Sequence, residues 1–280
     1  MNSFPVAIWT HLRRTPGGLL AALTVCAFAL LAIFAPLIAP YNPLTPTPAF
    51  RSPPSPDHWF GTDPTGLDVF SRVIYGTRLD LVVGVMGTLV SIAVGLLLGL
   101  IVGYYQNALT SIFLRVIDLL QAFPVFVLAM ATVAIAGPSV TNVIAVIGIL
   151  YAPIYVRLVR SRVLTFRELP VIEAARCVGN DNFRILVGYL LPNTIEPALV
   201  QASVNVGWAI LLTASLSFIG AGIPVPSPEW GAMVSVGAPM IITGEWWAAF
   251  FPGLAIALTV LAFARLGDMV RELLNPERRV

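Results

Sequence analysis

Long apolar runs alternate with short polar stretches along this chain, and the length of the runs decides its class. A helix that crosses a bilayer needs roughly 20 mostly apolar residues. Residues 18–39 form such a run and carry no charge. Five more follow: 81–104, about 119–136, 140–156, 198–219 and about 247–264, the third entered by a turn that carries Arg115 and Asp118. The pattern predicts an all-α, polytopic membrane protein with six transmembrane helices and both termini on one side. The first run is too long for the apolar region of a signal peptide. It is followed by Pro40-Tyr41-Asn42-Pro43 rather than by a small-residue cleavage site, so it reads as a retained span.

Arginine placement sets the orientation. With the N-terminus inside, 13 of the 16 arginines fall on inner segments and only Arg51, Arg72 and Arg78 fall outside. The positive-inside rule then puts both termini in the cytoplasm. Two polar segments remain. The outer one, 40–80, closes a first unit (1–80) made of an N-terminal cytoplasmic segment, the first span and the outer loop. The core transmembrane unit, 81–280, holds the long inner loop, 157–193.

Composition narrows the chemistry. Apolar residues make up 58% of the 280, charged residues 11%, and mean hydropathy is +0.87, against about a quarter charged in a soluble domain. This rules out an ordinary soluble enzyme and a nucleic-acid binder and makes lipid the main surroundings. Every basic residue is arginine. Without lysine there is no phosphate-binding Walker loop and no Schiff-base chemistry. His11 and His58 cannot make a three-histidine zinc site, and Cys26 and Cys177 are too few for a disulfide framework.

Local signals fill in the segments. In the outer segment Gly61, Pro64 and Gly66 are turn formers, and Asp57, Asp63 and Asp68 read as turn and cap residues rather than as a calcium loop. Asp68 is expected to cap a short helix that Gly76 stops. Thr77 and Asp80 then form a capping box that opens the second span. Gly87, Ser91, Gly95, Gly99 and Gly103 give that span one face almost without side chains, suited to close packing within the chain. Arg115 and Asp118 read as an ion pair at the entry to the third span, which Pro124 breaks or kinks. Gln201 and Asn205 share a face of the fifth span; they are pathway candidates, or else hydrogen-bonding glue between helices. No span carries a charge near its midplane, where ion-coupled carriers commonly place one. With no phosphate loop either, the driving force has to come from another protein.

The inner loop is the most informative stretch. Pro170 can open a helix with Glu173 in its first turn, Ala174 and Ala175 keep one face small, and Gly179 fits a left-handed C-cap. Asp181 can cap a second short helix, 182–190, ended by Pro192. Two short helices about a sharp corner predict a rigid knob shaped for docking.

The segment Glu173-Ala174-Ala175, then Gly179, then Leu191-Pro192 resembles the EAA motif of permease subunits in bacterial ATP-binding-cassette importers. Its spacing matches throughout, and Tyr189 stands where isoleucine is usual. Residues 58–63 with Gly66, Asp68, Ser71, Arg72, Gly76 and Arg78 resemble the dipeptide/oligopeptide/nickel group of these permeases. So do 226–231 and Leu266-Gly267-Asp268 with Arg271, Asn275 and Pro276. Leu67, where arginine is usual, and Asp80, where a small residue is usual, depart from that group.

The resemblance implies a type I importer permease fold in the bacterial inner membrane. It implies half of a channel completed by a second homologous permease, two cytoplasmic ATP-binding subunits and an extracytoplasmic solute-binding protein. ATP and magnesium then belong to the partner ATPases, and this chain needs no cofactor of its own. Glu173, Ala174, Ala175, Gly179, Leu191 and Pro192 become the ATPase-coupling residues, and alternating access becomes the mechanism. Peptides are the first expectation for cargo, with nickel, glutathione or another small solute behind. A self-standing secondary transporter is the remote alternative.

Overall fold

The computed structural model describes residues 16–274; the sequence-based expectations for the N-terminal cytoplasmic segment and the last six residues lie outside them. The described chain is helical, with one isolated bridge between Thr62 and Asp68. In order, the helices are α1 (Pro16–Ile38), α2 (Val69–Tyr104), α3 (Ala108–Gln121), α4 (Val125–Ala136), α5 (Val140–Phe166), α6 (Pro170–Cys177) and α7 (Asn182–Ile185). A π-helical turn (Leu186–Leu190) leads into α8 (Leu191–Phe218). Then come α9 (Trp230–Gly237), a 3-10 segment (Ala238–Thr243) and α10 (Trp247–Leu274). Among the described residues five helices are long and apolar enough to cross a membrane, giving up to six spans if α3 and α4 are taken as one broken span.

The second span begins twelve residues earlier than the apolar run suggests. Asp68 does cap a helix, accepting the Ser71 amide at 2.8 Å, but Gly76 does not stop it. α2 runs unbroken for 36 residues, roughly 54 Å, against a hydrocarbon core of about 30 Å. It therefore crosses the expected unit boundary at 80/81. Gly76 is there for space, because a Cβ would meet the Trp230 ring at 2.8 Å. The Thr77–Asp80 box does not form either. The Thr77 hydroxyl donates to the Val73 carbonyl in mid-helix, and Asp80 accepts the Trp230 amide at 3.1 Å.

The small-residue face of α2 is covered by α5 of the same chain. A Cβ on Gly87 would meet Ile147, one on Gly95 would land on Tyr155, and ones on Gly99 and Gly103 would strike Val159 and Val163. Ser91 donates to the Ile147 carbonyl across this contact at 3.2 Å. Backbones that approach this closely gain dispersion contacts, the main source of helix association in lipid.

The third span is not one helix. α3 and α4 meet at 96° across Pro124, which cannot supply an amide and clashes with the preceding turn. α4 alone has 12 residues, about 18 Å, too short to cross the hydrocarbon core. Asp118 pairs with Arg157 of α5 at 2.6 Å rather than with Arg115 of its own helix. α1 is the most peripheral span: Leu20, Ile33 and Leu37 are exposed, and Phe28 meets Trp230 edge-on.

In the outer segment Asp63 accepts from the Thr65 and Leu67 amides, and Asp68 also binds His58 Nδ1 at 2.8 Å. His58 stacks on Tyr41. These contacts are the turn-making and packing roles expected of them. Trp247 joins this layer to α10 by donating its indole N–H to the Thr62 carbonyl.

Candidate coupling site

α6 starts on Pro170, whose missing amide is no loss in a first helical turn, and places Glu173 in that turn. The helix ends in a Schellman motif. The Gly179 amide donates to the Arg176 carbonyl and the Asn180 amide to Ala175, at 3.0 and 3.1 Å. Gly179 takes φ +84°, and a Cβ there would meet nothing within 4 Å, so conformation rather than space selects glycine. Asp181 then accepts the Arg184 amide at 2.9 Å and starts α7 in a new direction.

The second helix of the knob is not a separate short one. Pro192 does not end it: α7 passes through the π turn into α8, so 182–218 is one continuous helical run. The ring of Pro192 conflicts with the carbonyl four residues back, at Gly188. The wider π turn over 186–190 is where that carbonyl is displaced. The knob is thus the cytoplasmic end of the fifth span plus α6, and movement of one is movement of the other.

A small apolar cluster seats it. Ile172 and Ala175 of α6, Ile185 of α7 and Leu190 pack with Leu100, Val159 and Val163 at the inner ends of α2 and α5; Leu191 is half-buried against them. Polar contacts lock the same joint. The Tyr104 hydroxyl lies 2.7 Å from Asn182 Oδ1, and Arg167 donates to the Tyr104 carbonyl. Tyr189, the departure from the motif, receives the Asn180 side-chain amide at 3.3 Å and so ties the corner to the π turn.

The opposite side of the knob is free. Glu173, Ala174 and Pro192 are exposed, and so are Val171, Val178 and Phe183 of the same two arms, at 53%, 79% and 72%. Ala175 alone of the Glu-Ala-Ala triplet points into the core. The motif therefore divides its labour: Ala175, Gly179 and Leu191 build the knob, and Glu173, Ala174 and Pro192 are presented by it.

Matches with known proteins agree with this architecture. Residues 95–280 match the model for the binding-protein-dependent transport system inner membrane component, and residues 3–54 match the N-terminal TM domain of oligopeptide transport permease C. The chain belongs to this permease family. It is 41% identical over 270 residues to the dipeptide transport system permease protein DppC of Alkalihalophilus pseudofirmus, covering 96% of this chain and 88% of that one. It is 37% identical to the probable D,D-dipeptide transport system permease protein DdpC of Escherichia coli K12, covering 96% and 90%. It is 41% identical to the glutathione transport system permease protein GsiD of Escherichia coli O6:K15:H31, covering 96% and 89%. Among solved structures it is similar to the MetNI methionine ABC transporter in an inward-facing form. The TM-score is 0.53 at 20% identity, over 73% of this chain and 97% of that one. That likeness concerns fold alone, the type I importer permease fold. The chain is a multi-pass permease of the inner membrane, a transport subunit rather than an enzyme, in a family whose members work beside ATPase and other importer subunits.

The structure places Glu173, Ala174, Ala175, Gly179, Leu191 and Pro192, the six residues expected to couple, at one end of the helix bundle and Gln201 and Asn205 farther along α8. Gln201 donates to Asn205 Oδ1 at 3.0 Å within α8, and Asn205, 1% exposed, faces the Tyr155 hydroxyl of α5. Sequence reasoning missed Tyr104, Arg176 and Asn182 as parts of the joint. None of the three has a periodic or spacing signal; only the fold puts them side by side.

Proposed function

We propose that this permease forms half of the translocation channel of a short-peptide importer, paired with a second homologous permease. Two separate cytoplasmic ATPases drive it, and an extracytoplasmic binding protein loads it. The observation that carries the reading is the knob: an exposed apolar ledge with a carboxylate, seated on a continuous membrane helix. An apolar ledge ringed by polar groups fits a groove on a partner protein. ATP and magnesium reside in those partners, since this chain lacks a lysine for a phosphate loop. ATP binding brings the ATPases together, the knobs follow, and α8 carries the motion into the bundle. The nucleotide shifts the equilibrium through its different affinity for the two states.

Short peptides are the cargo class. The relatives are named for dipeptides, D,D-dipeptides and glutathione, which share a peptide backbone and its charged ends. Gln201, the half-buried member of its pair, is the pathway residue of this proposal, a neutral hydrogen-bonding group for such a backbone, and buried Asn205 holds it in place.

Proteoliposomes holding the complete complex test the reading. Uptake of labelled dipeptide should require both ATP and the ATPases. Glu173→Lys should reduce uptake and ATPase stimulation at least tenfold while insertion and assembly of the chain stay intact. Uptake by the two permeases alone under an ion gradient would sink the proposal.

A further inference from the structure

α4 and α5 enclose a recess of about 240 Å³ beside the elbow at Pro124. Its polar groups come from Gln121 at the end of α3, Thr132 of α4 and Tyr151 of α5, and every other side chain that lines it is apolar. Ile149 and Pro153 of α5 are both in the wall. Proline has no amide, so Pro153 leaves the Ile149 carbonyl without its usual helical donor. An apolar wall with a few convergent polar groups is the make-up of a ligand pocket. The volume falls short of the roughly 300–1,000 Å³ of a complete small-molecule site, so the recess suits one side chain of a ligand whose remainder lies outside.

Two opposite charges stand just outside it. Asp118 lies one turn before Gln121 on α3, and Arg157 lies one turn after Ile154, another wall residue, on α5. Their 2.6 Å hydrogen bond joins Arg157 Nη2 to Asp118 Oδ1. Neither side chain makes another hydrogen bond among the described residues, and they are 52% and 58% exposed, so a carboxylate oxygen and further guanidinium N–H groups remain open to a ligand. An exposed ion pair adds little stability. Charges on membrane helices turn to a partner or a water-filled cavity rather than to lipid.

We propose that this recess and the ion pair at its edge form a station for short peptides on the translocation path. The inference rests on the short-peptide reading and adds to it the residues that recognise the peptide. A free dipeptide is a zwitterion whose ends lie about 7 Å apart when extended. Asp118 accepts from its ammonium end, Arg157 donates to its carboxylate, and the Ile149 carbonyl accepts a peptide N–H while one side chain fills the recess. The site matches a positive and a negative end at once, which a metal ion or an uncharged solute does not offer.

Photolabelling tests the station. The complex of both permeases and the ATPases is placed in nanodiscs without the solute-binding protein, so that delivery does not select the peptide. It is irradiated with a dipeptide that carries a diazirine-bearing leucine, and the attachment points are read by mass spectrometry. Label should fall within residues 120–132 and 149–154. Arg157→Gln should lower labelling by the free dipeptide about fivefold and leave the weaker labelling by the dipeptide amide unchanged; Asp118→Asn should do the same with the N-acetyl form in place of the amide. If either variant fails to assemble, competition on the wild type decides: dialanine should displace the label at concentrations about fivefold lower than its amide or its N-acetyl form requires. Label elsewhere or nowhere, equal loss with free and blocked peptides, or equal competition overturns the proposal. Dipeptide uptake by the complete importer separates the two readings. Uptake without label in the recess removes the station alone, and no uptake removes the cargo reading and the station with it.

Discussion

The guanidinium of Arg176 sits 5.7 Å from the ring centroid of Tyr104. One residue belongs to the presented helix α6 and the other ends the membrane helix α2. The same tyrosine reaches Asn182 of α7 through its hydroxyl. Tyr104 therefore touches both arms of the knob, by its ring face and by its tip. A cation over a ring and a hydrogen bond contribute about 1 kcal/mol each at a partly exposed site. Tyr104→Phe removes only the hydroxyl contact, and Tyr104→Ala removes both. Stimulated ATPase activity and uptake should fall in the order wild type, Phe, Ala, by about fivefold and then more, with equal amounts of chain in the membrane. Identical losses for the two variants would assign the whole effect to the bond with Asn182.

Gly179 offers a sharper contrast. Its φ of +84° is disfavoured for any residue with a Cβ, at a cost of about 1–2 kcal/mol, although the space around it is empty. Gly188, in the π turn, has equally free space but no positive φ. Gly179→Ala should loosen the corner between α6 and α7, seen as faster protease cleavage of the cytoplasmic loop and weaker coupling. Gly188→Ala should leave the cleavage rate unchanged. Equal effects at the two positions would mean that the positive φ is not what selects glycine at position 179.

The presence of five membrane segments and the first arm of the knob, α6 with its corner at Gly179, can be read from residue order, because each rests on a local rule: run length, a proline at N1, a glycine past the end. What could not be read is where a helix continues although a local breaker says stop. Gly76 and Pro192 are both such breakers. At Gly76 the packing of Trp230 wins over the helix-weakening glycine, and its indole donates to the Val73 carbonyl at 3.0 Å. At Pro192 a π turn absorbs the clash. Both outcomes depend on partners distant in sequence or on strain relief over a full turn, and a window of neighbours contains neither. The 96° bend at Pro124 is the opposite case, since the break is legible there but its angle is not. Asp80 shows the same limit for chemistry. Beside Thr77 it looks like a cap, and only the Trp230 amide, 150 positions later, gives it another role.

The contact between α2 and α5 yields the last test, on stability rather than transport. A methyl group at Gly95 would overlap Tyr155, a residue with 0% exposure that has no room to retreat, and the Ala152 carbonyl lies 2.9 Å from the same point. Gly17, at the free edge of α1, has nothing within 4 Å. Overpacking a well-filled site costs typically 1–3 kcal/mol, whereas glycine to alanine on an unobstructed helix position gains up to about 1 kcal/mol. Gly95→Ala should therefore lower the melting temperature of the detergent-solubilised complex by several degrees, and Gly17→Ala should leave it unchanged or raise it. Because helices in lipid are held by close backbone approach rather than by water exclusion, Gly95→Leu should go further and prevent stable accumulation of the chain. Normal accumulation of Gly95→Leu with an unchanged melting temperature would show that α2 and α5 are not in this register in the membrane.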